Sequence, residues 1–323
     1  MRKMVASLAL LAGLLGAAPA EEFSQKVYDM RGDMGLLEDF GPTGACWIND
    51  LLFLCDRRYT VFHLFDVQGR RFQFLEHPQK LGEANFSALC HYKDDEYFVS
   101  GSHYHVKNHP RFVENRSVMH KVLLQRDRIN PQSGKENYRP DRALRASGYY
   151  GESTSTTGEI TGIAMDPKHN RLFVAMDKTL SPDGSVVLLE GALDKFLARS
   201  EDLELKFVTT GLKPAVDSIT NTPYDLQDIA YLPDRGLVLL LSAQANEGKT
   251  FGHNQLWFMR GGNTPARLVQ KDLASGNRGS GLAIRPAKTK DEYEAAIVCD
   301  NNMEDSRIPS RLVHLRGLRL PMR

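Results

Sequence analysis

His103 and His105, separated by one residue, are the first side chains in this sequence whose spacing could do chemistry. On an extended strand, side chains at i and i+2 point the same way, so the two imidazoles could share a divalent metal. Asp56 or Asp177 could complete such a shell, and either histidine could instead act as a general base. Arg57, Arg58 and Lys178 carry the donors to hold a phosphate or carboxylate, or they could pair with Asp56, Asp177 and Asp300. The run from Asp300 and Asn301 to Asp305 is rich in oxygen ligands of the kind Ca²⁺ takes. It lacks the EF-hand spacing and glycine, and Asx-rich sequence also caps turns for structural reasons. No G-x-S-x-G, H-E-x-x-H or glycine-rich phosphate loop occurs. The His-x-His pair, without a fixed third ligand, also reads as part of a solvated polar loop.

Elements that could gather these residues emerge as a repeat. Five segments share one pattern: a small or polar residue, an apolar stretch, a turn, then a strongly apolar β-type run with a polar end. They run over 43–58, 87–105, 161–178, 227–244 and 280–302. Clusters such as DPKHN and LPDRG form the turns, so each unit is a β-hairpin, and further strands follow most of them. Four strands per unit, repeated, predict an all-β fold and a β-propeller. Five blades are expected, six if the long insertion around 103–157 contains a degenerate blade, with a β-sandwich as the alternative architecture. The segment 23–30 reads as a lone strand and 311–316 as the last, so the first completes the final blade and closes the ring. Helix is scarce; 191–204 offers a turn or two at most.

In a propeller, the start of each inner strand and the end of the next strand converge on one face. That places Thr43, Ser87, Thr161, Gln227, Asp228 and Ser280 with Asp56, Arg57, Arg58, His103, His105, Asp177, Lys178, Gln244, Asp300 and Asn301 around one mouth of the channel. Convergent polar groups in a concavity make a binding face, and strand ends are also polar simply where they meet solvent. The four cysteines follow the repeat as well. Cys46 and Cys90 fall where Ala164, Ala230 and Ala283 stand in the other units. Cys46 and Cys55 lie on opposing strands of one hairpin and could bridge; buried free thiols are the other reading.

The N-terminus has the layout of a secretory leader over 1–20: Arg2 and Lys3, an apolar run over 5–17, then Ala18-Pro19-Ala20. The apolar run is shorter than the roughly 20 residues a membrane span needs. Export to the periplasm or medium is therefore expected, with a single domain over 21–323 and no span in the mature chain. With 41 basic and 40 acidic residues, no field of one sign is present to attract nucleic acid or anionic lipid. A monomer is expected.

The stretches YFVSGSHYH, GEITGIAMDPKHNRLFVAMD, SPDGSVVLL, YDLQDIAYLPDRGLVLLLSAQ and GSGLAI resemble an uncharacterised family of exported bacterial propellers, domain of unknown function 3616. More distantly they are similar to esterase-like-of-phytase propellers. The likeness spans Ala45 to Leu318. The family's acidic residue at each blade start falls here on Thr43, Ser87, Thr161, Gln227 and Ser280. The resemblance thus implies a fold and a compartment but no established activity and no established cofactor. The expected function is a scaffold that binds a small molecule or a protein at the polar mouth. A hydrolase of phosphoesterase or lactonase type, with or without a divalent metal, is the alternative.

Overall fold

The computed structural model describes residues 22–32, 35–36, 40–58, 61–76, 85–102, 118–125, 128–130, 132–133, 137–138, 160–176, 184–245, 249–260, 264–301 and 308–321. The leader, His103, His105, Asp177 and Lys178 lie outside these residues. Strand β1 (Ser24–Asp29) is followed by the short β2 (Arg31–Gly32) and β3 (Gly35–Leu36). Blade 1 holds β4 (Pro42–Ile48), β5 (Leu51–Asp56), β6 (Val61–Phe65) and β7 (Arg71–Glu76). Blade 2 holds β8 (Asn85–Lys93), β9 (Glu96–Ser102) and β10 (Val118–Gln125), with β11 (Arg128–Ile129) and β12 (Asn137–Tyr138) paired to β10.

Blade 3 is β13 (Ile160–Asp166), β14 (Arg171–Met176), β15 (Val187–Ala192) and β16 (Lys206–Thr209). One short helix, α1 (Leu193–Leu197), sits between its last two strands. Blade 4 is β17 (Asp225–Leu232), β18 (Gly236–Ala245), β19 (Thr250–Met259) and β20 (Arg267–Leu273). Blade 5 is β21 (Gly279–Pro286), β22 (Tyr293–Cys299) and β23 (Arg311–Leu318). Its fourth place is filled by β1, antiparallel to β23 from Ser24↔Arg316 to Asp29↔Arg311. Five blades closed by the N-terminal strand are what the repeat predicts. Within the stretch expected as an insertion, β10 is the third strand of blade 2, and the two-residue β11 and β12 pair along its outer edge.

The repeat has a local cause. Each inner hairpin turns on one Asn or Asp in the left-handed region: Asn49, Asp94, Asn170, Asp234 and Asp291, with φ of 52°, 46°, 55°, 60° and 61°. These residues tolerate that conformation because their short side chains bond the local backbone. Between each pair of neighbouring blades lies one apolar cluster, five in all, so the core is a ring of layers. Between blades 1 and 2 it is aromatic: Phe53, Phe62 and Phe86 stack at successive centroid distances of 5.1 Å. Such layers draw roughly 1.5–3 kcal/mol from each fully buried large side chain.

Register corrects the expected Cys46–Cys55 bridge. Cys46 pairs with Phe53, and a bulge between Pro42 and Ala45 turns Gly44 toward Cys55. Cys55 Sγ accepts from the Gly44 amide at 3.2 Å and meets Thr43 Oγ1 at 3.3 Å. All four cysteines are free and buried. Burial pushes the Cys55 thiol up to about 12.

Candidate functional site

The blade starts form a belt. Thr43 Oγ1 donates to Phe86 O at 2.8 Å, joining blade 1 to blade 2. Ser87 Oγ donates to Ile160 O at 2.6 Å, and Thr161 Oγ1 to Leu226 O at 3.4 Å. Ser280 Oγ donates to Pro42 O at 2.6 Å and closes the ring. Each hydroxyl thus bonds the carbonyl just before the next blade's start. At the junction of blades 4 and 5, Gln227 takes the hydroxyl's place, and Asp228 links the blades by accepting from an amide instead. Its Oδ2 accepts from Leu282 N at 2.7 Å and its Oδ1 from its neighbour Ile229 N at 2.8 Å.

Asp228 is 1% exposed, and burial raises its carboxyl well above the usual range against the pull of the two amides. Around it the inner strands nearly touch. A Cβ on Gly281 would fall 1.6 Å from Thr43 O, and one on Gly44 2.2 Å from Leu89 N. The belt is the waist of the channel.

Outside the belt, the same mouth carries a charged cluster between blades 5 and 1. Asp300 has a side chain only 3% exposed. Arg57 Nη1 stands 3.9 Å from Asp300 Oδ2 and Arg278 Nη1 3.8 Å from it, both too long for a direct hydrogen bond. Asp300 Oδ1 is buried with no hydrogen-bond partner among the described residues. Asn301 fixes the cluster from behind: its Oδ1 accepts from Arg278 N at 3.0 Å and its Nδ2 donates to Asn277 Oδ1 at 2.7 Å. Asp56 accepts from Arg58 N at 2.8 Å and lies 3.5 Å from the His63 ring, where burial, opposed by Asp56, lowers the imidazole's pKa. Gln244 sits on blade 4, its main-chain carbonyl accepting from Thr222 Oγ1 at 3.0 Å.

The sequence reading missed a second constellation on this face. Asp217, in the loop before β17, has a side chain that is 0% exposed. Its Oδ1 accepts from Ile219 N at 2.9 Å and from the amide and hydroxyl of Thr220 at 2.9 and 3.1 Å. Its Oδ2 accepts from Tyr224 OH and His253 Nδ1, both at 2.8 Å, and from His253 N at 3.1 Å. With Nδ1 held by the carboxylate, His253 keeps Nε2 for a proton or a ligand. The only trace in the sequence is Asp217 three residues before Thr220, a turn-forming spacing. Gly252 makes room for the carboxylate: a Cβ there would meet Asp217 Oδ1 at 2.3 Å. Gly252→Ala is therefore expected to cost about 2 kcal/mol, read as a lowered midpoint in urea unfolding; an unchanged midpoint would remove that reading.

Among the described residues, no three of His, Cys, Asp and Glu gather into a group able to hold a metal ion. No helix among them is long and apolar enough to cross a membrane.

No family profile matches the chain, and no curated protein sequence does. Solved structures do match along most of its length. The major allergen Mala s 1 of Malassezia sympodialis superposes with a TM-score of 0.50 at 13% identity, over 90% of this chain and 95% of that one. A xylan β-1,4-xylosidase from Bacillus halodurans also gives 0.50, at 10% identity, over 88% of this chain and 55% of that one. A glutaminyl cyclase from Myxococcus xanthus gives 0.49 at 10% identity, over 92% and 96%. What likeness at such identity carries is the fold, and the chain is a five-bladed β-propeller.

Proposed function

We propose that this chain is an exported binding propeller whose ligand bridges Asp300 and Arg57 at the belt-side mouth. The supporting observation is Asp300 Oδ1, buried and without a hydrogen-bond partner among the described residues. A buried carboxylate oxygen left unpaired costs several kcal/mol, and at 3.8–3.9 Å the guanidiniums are attracted to Asp300 without spending a hydrogen bond on it. The fitting ligand carries both a hydrogen-bond donor for Asp300 and an anionic acceptor for the guanidiniums. A small hydroxy acid or amino acid, free or at the end of a protein chain, has both. The leader-like N-terminus supports the compartment.

The test is calorimetric titration with a panel of hydroxy and amino acids. Saturable binding is expected, weakened at least tenfold in Arg57→Ala and in Asp300→Asn, the usual loss for a charge-assisted bond of about 1.5 kcal/mol or more. No binding by the wild type, or full binding by both variants, overturns the reading.

The alternative, a hydrolase of phosphoesterase or lactonase type, is favoured by one observation: the His253 imidazole is oriented by Asp217 on the same face. As a base, His253 Nε2 would take a proton from water as the water attacks the ester or lactone. In this reading His103 and His105 are candidate metal ligands. Turnover lost in His253→Ala, or metal and turnover lost together in His103→Ala, would support it. Wild-type protein with neither metal nor turnover would remove it.

A further inference from the structure

The channel is open on the side of the waist away from Arg57 and Arg278. A cavity of about 290 Å³ lies there, lined by the inner strands of all five blades. Its size is near the lower end of small-molecule pockets. The cause is visible in the sequence. Three steps after each belt position, where an ordinary core would carry a large side chain, stand Cys46, Cys90, Ala164, Ala230 and Ala283. Five small residues at one level of a five-fold ring leave a void. Its lining begins at Ala45, Ile229 and Leu282, each the residue after Gly44, Asp228 and Gly281 at the waist.

The lining chemistry selects the occupant. The floor is aliphatic carbon and neutral thiol; burial raises both the Cys46 and the Cys90 thiols, so neither carries charge. The rim is aromatic, with Trp47, Tyr92 and Tyr231 on three different blades. Trp47 is held by the Arg285 guanidinium 3.9 Å over its ring, and Arg285 is itself paired with Glu294 at 2.8 Å. Tyr231 stays neutral, its hydroxyl pushed up to about 12 by burial and then by Asp166.

The charged rim groups are already paired: Asp166 with His169 at 2.7 Å, and Lys168 with Asp234. A charged ligand seated on the floor would lie away from these rim pairs, unpaired among carbon and neutral thiol. A neutral, compact, largely apolar ligand meets no such cost.

We propose that this cavity is a second binding site, separate from the arginine mouth, for a compact uncharged molecule with an aromatic or aliphatic body. It does not depend on the ligand proposed for Asp300 and Arg57. The probe is the neutral dye 6-propionyl-2-dimethylaminonaphthalene, followed by its fluorescence shift. Saturable 1:1 binding to the wild type is expected. Ala230→Phe, which fills the void, should weaken it at least tenfold, and Ala230→Leu should weaken it less. Phe72→Ser, which removes the most exposed phenylalanine on the outer strand of blade 1, should leave it unchanged.

Dye occupancy should also slow the reaction of Cys46 and Cys90 with N-ethylmaleimide, and hydroxy acids should not displace the dye. Circular dichroism checks that each variant is folded, and Ala230→Leu carries the test if the phenylalanine variant is not. No saturable binding, equal binding by the filled variants, loss in Phe72→Ser, or displacement by hydroxy acids would each overturn the proposal. Failure to bind hydroxy acids at all, with the dye still bound, would overturn only the Asp300 reading.

Discussion

Asp217→Ala lowers the stability of the folded chain by about 4 kcal/mol, a fall of roughly 10 °C in Tm. One carboxylate accepts from Ile219, Thr220, Tyr224 and His253, and removing it leaves buried donors on both the loop and β19 without a partner. The effect has a pH signature. Burial by itself would raise the Asp217 carboxyl, but the Thr220 amide, the His253 ring and the Tyr224 hydroxyl outweigh it and hold the carboxyl well below the usual range. A depressed folded value contributes stability that is fully present above about pH 4 and is lost as pH falls toward the folded value. Urea unfolding of the wild type should therefore show a steep loss below pH 4, and Asp217→Asn, already less stable at pH 7, a shallower one. Equal slopes, or a wild-type-like midpoint for Asp217→Ala, would refute this account.

Asp228 gives the opposite sign. Its folded value lies above the unfolded one, so its contribution is fully present below about pH 4 and is lost as pH rises toward the folded value. Asp228→Asn keeps the shape and an acceptor while removing the ionisation. It lacks the second acceptor, so it should start below the wild type near pH 4 and close that gap as pH rises to 8. Asp228→Ala should lose about 3 kcal/mol near pH 4 and less at pH 8, because the Leu282 and Ile229 amides lack their acceptor at both while the wild type gives up part of its own advantage as pH rises. Urea midpoints of the three proteins at pH 4, 6 and 8 decide it. A deficit of Asp228→Asn against the wild type that grows with rising pH would sink the argument.

The hydroxyl residues were legible as a repeat but not as a belt. Thr43, Ser87, Thr161 and Ser280 each recur at a blade start, and the sequence places them around one channel mouth. Whether such a hydroxyl faces solvent or the next blade depends on how closely the inner strands approach, and beside Thr43, Thr161 and Ser280 glycines set that distance. Asp228 was legible only as the neighbour of Gln227. Its role follows from one missing hydroxyl in a ring of five, which is a relation among blades far apart in the chain. Asp217 and His253 lie 36 residues apart, on a loop and a third strand outside the repeated hairpins, and no local pattern joins them.

The sequence by itself determined the all-β class, the five hairpins and the closure by the N-terminal strand. Those follow from short-range signals: alternation along strands, an Asn or Asp at each turn, and a last blade one strand short. Tertiary structure alone decided which polar groups bond other blades, that Cys46 and Cys55 are out of register for a bridge, and that the open volume lies beyond the waist. The reason is that strand pattern fixes which face a side chain takes, whereas its partner depends on the twist and spacing between blades that only the closed ring sets.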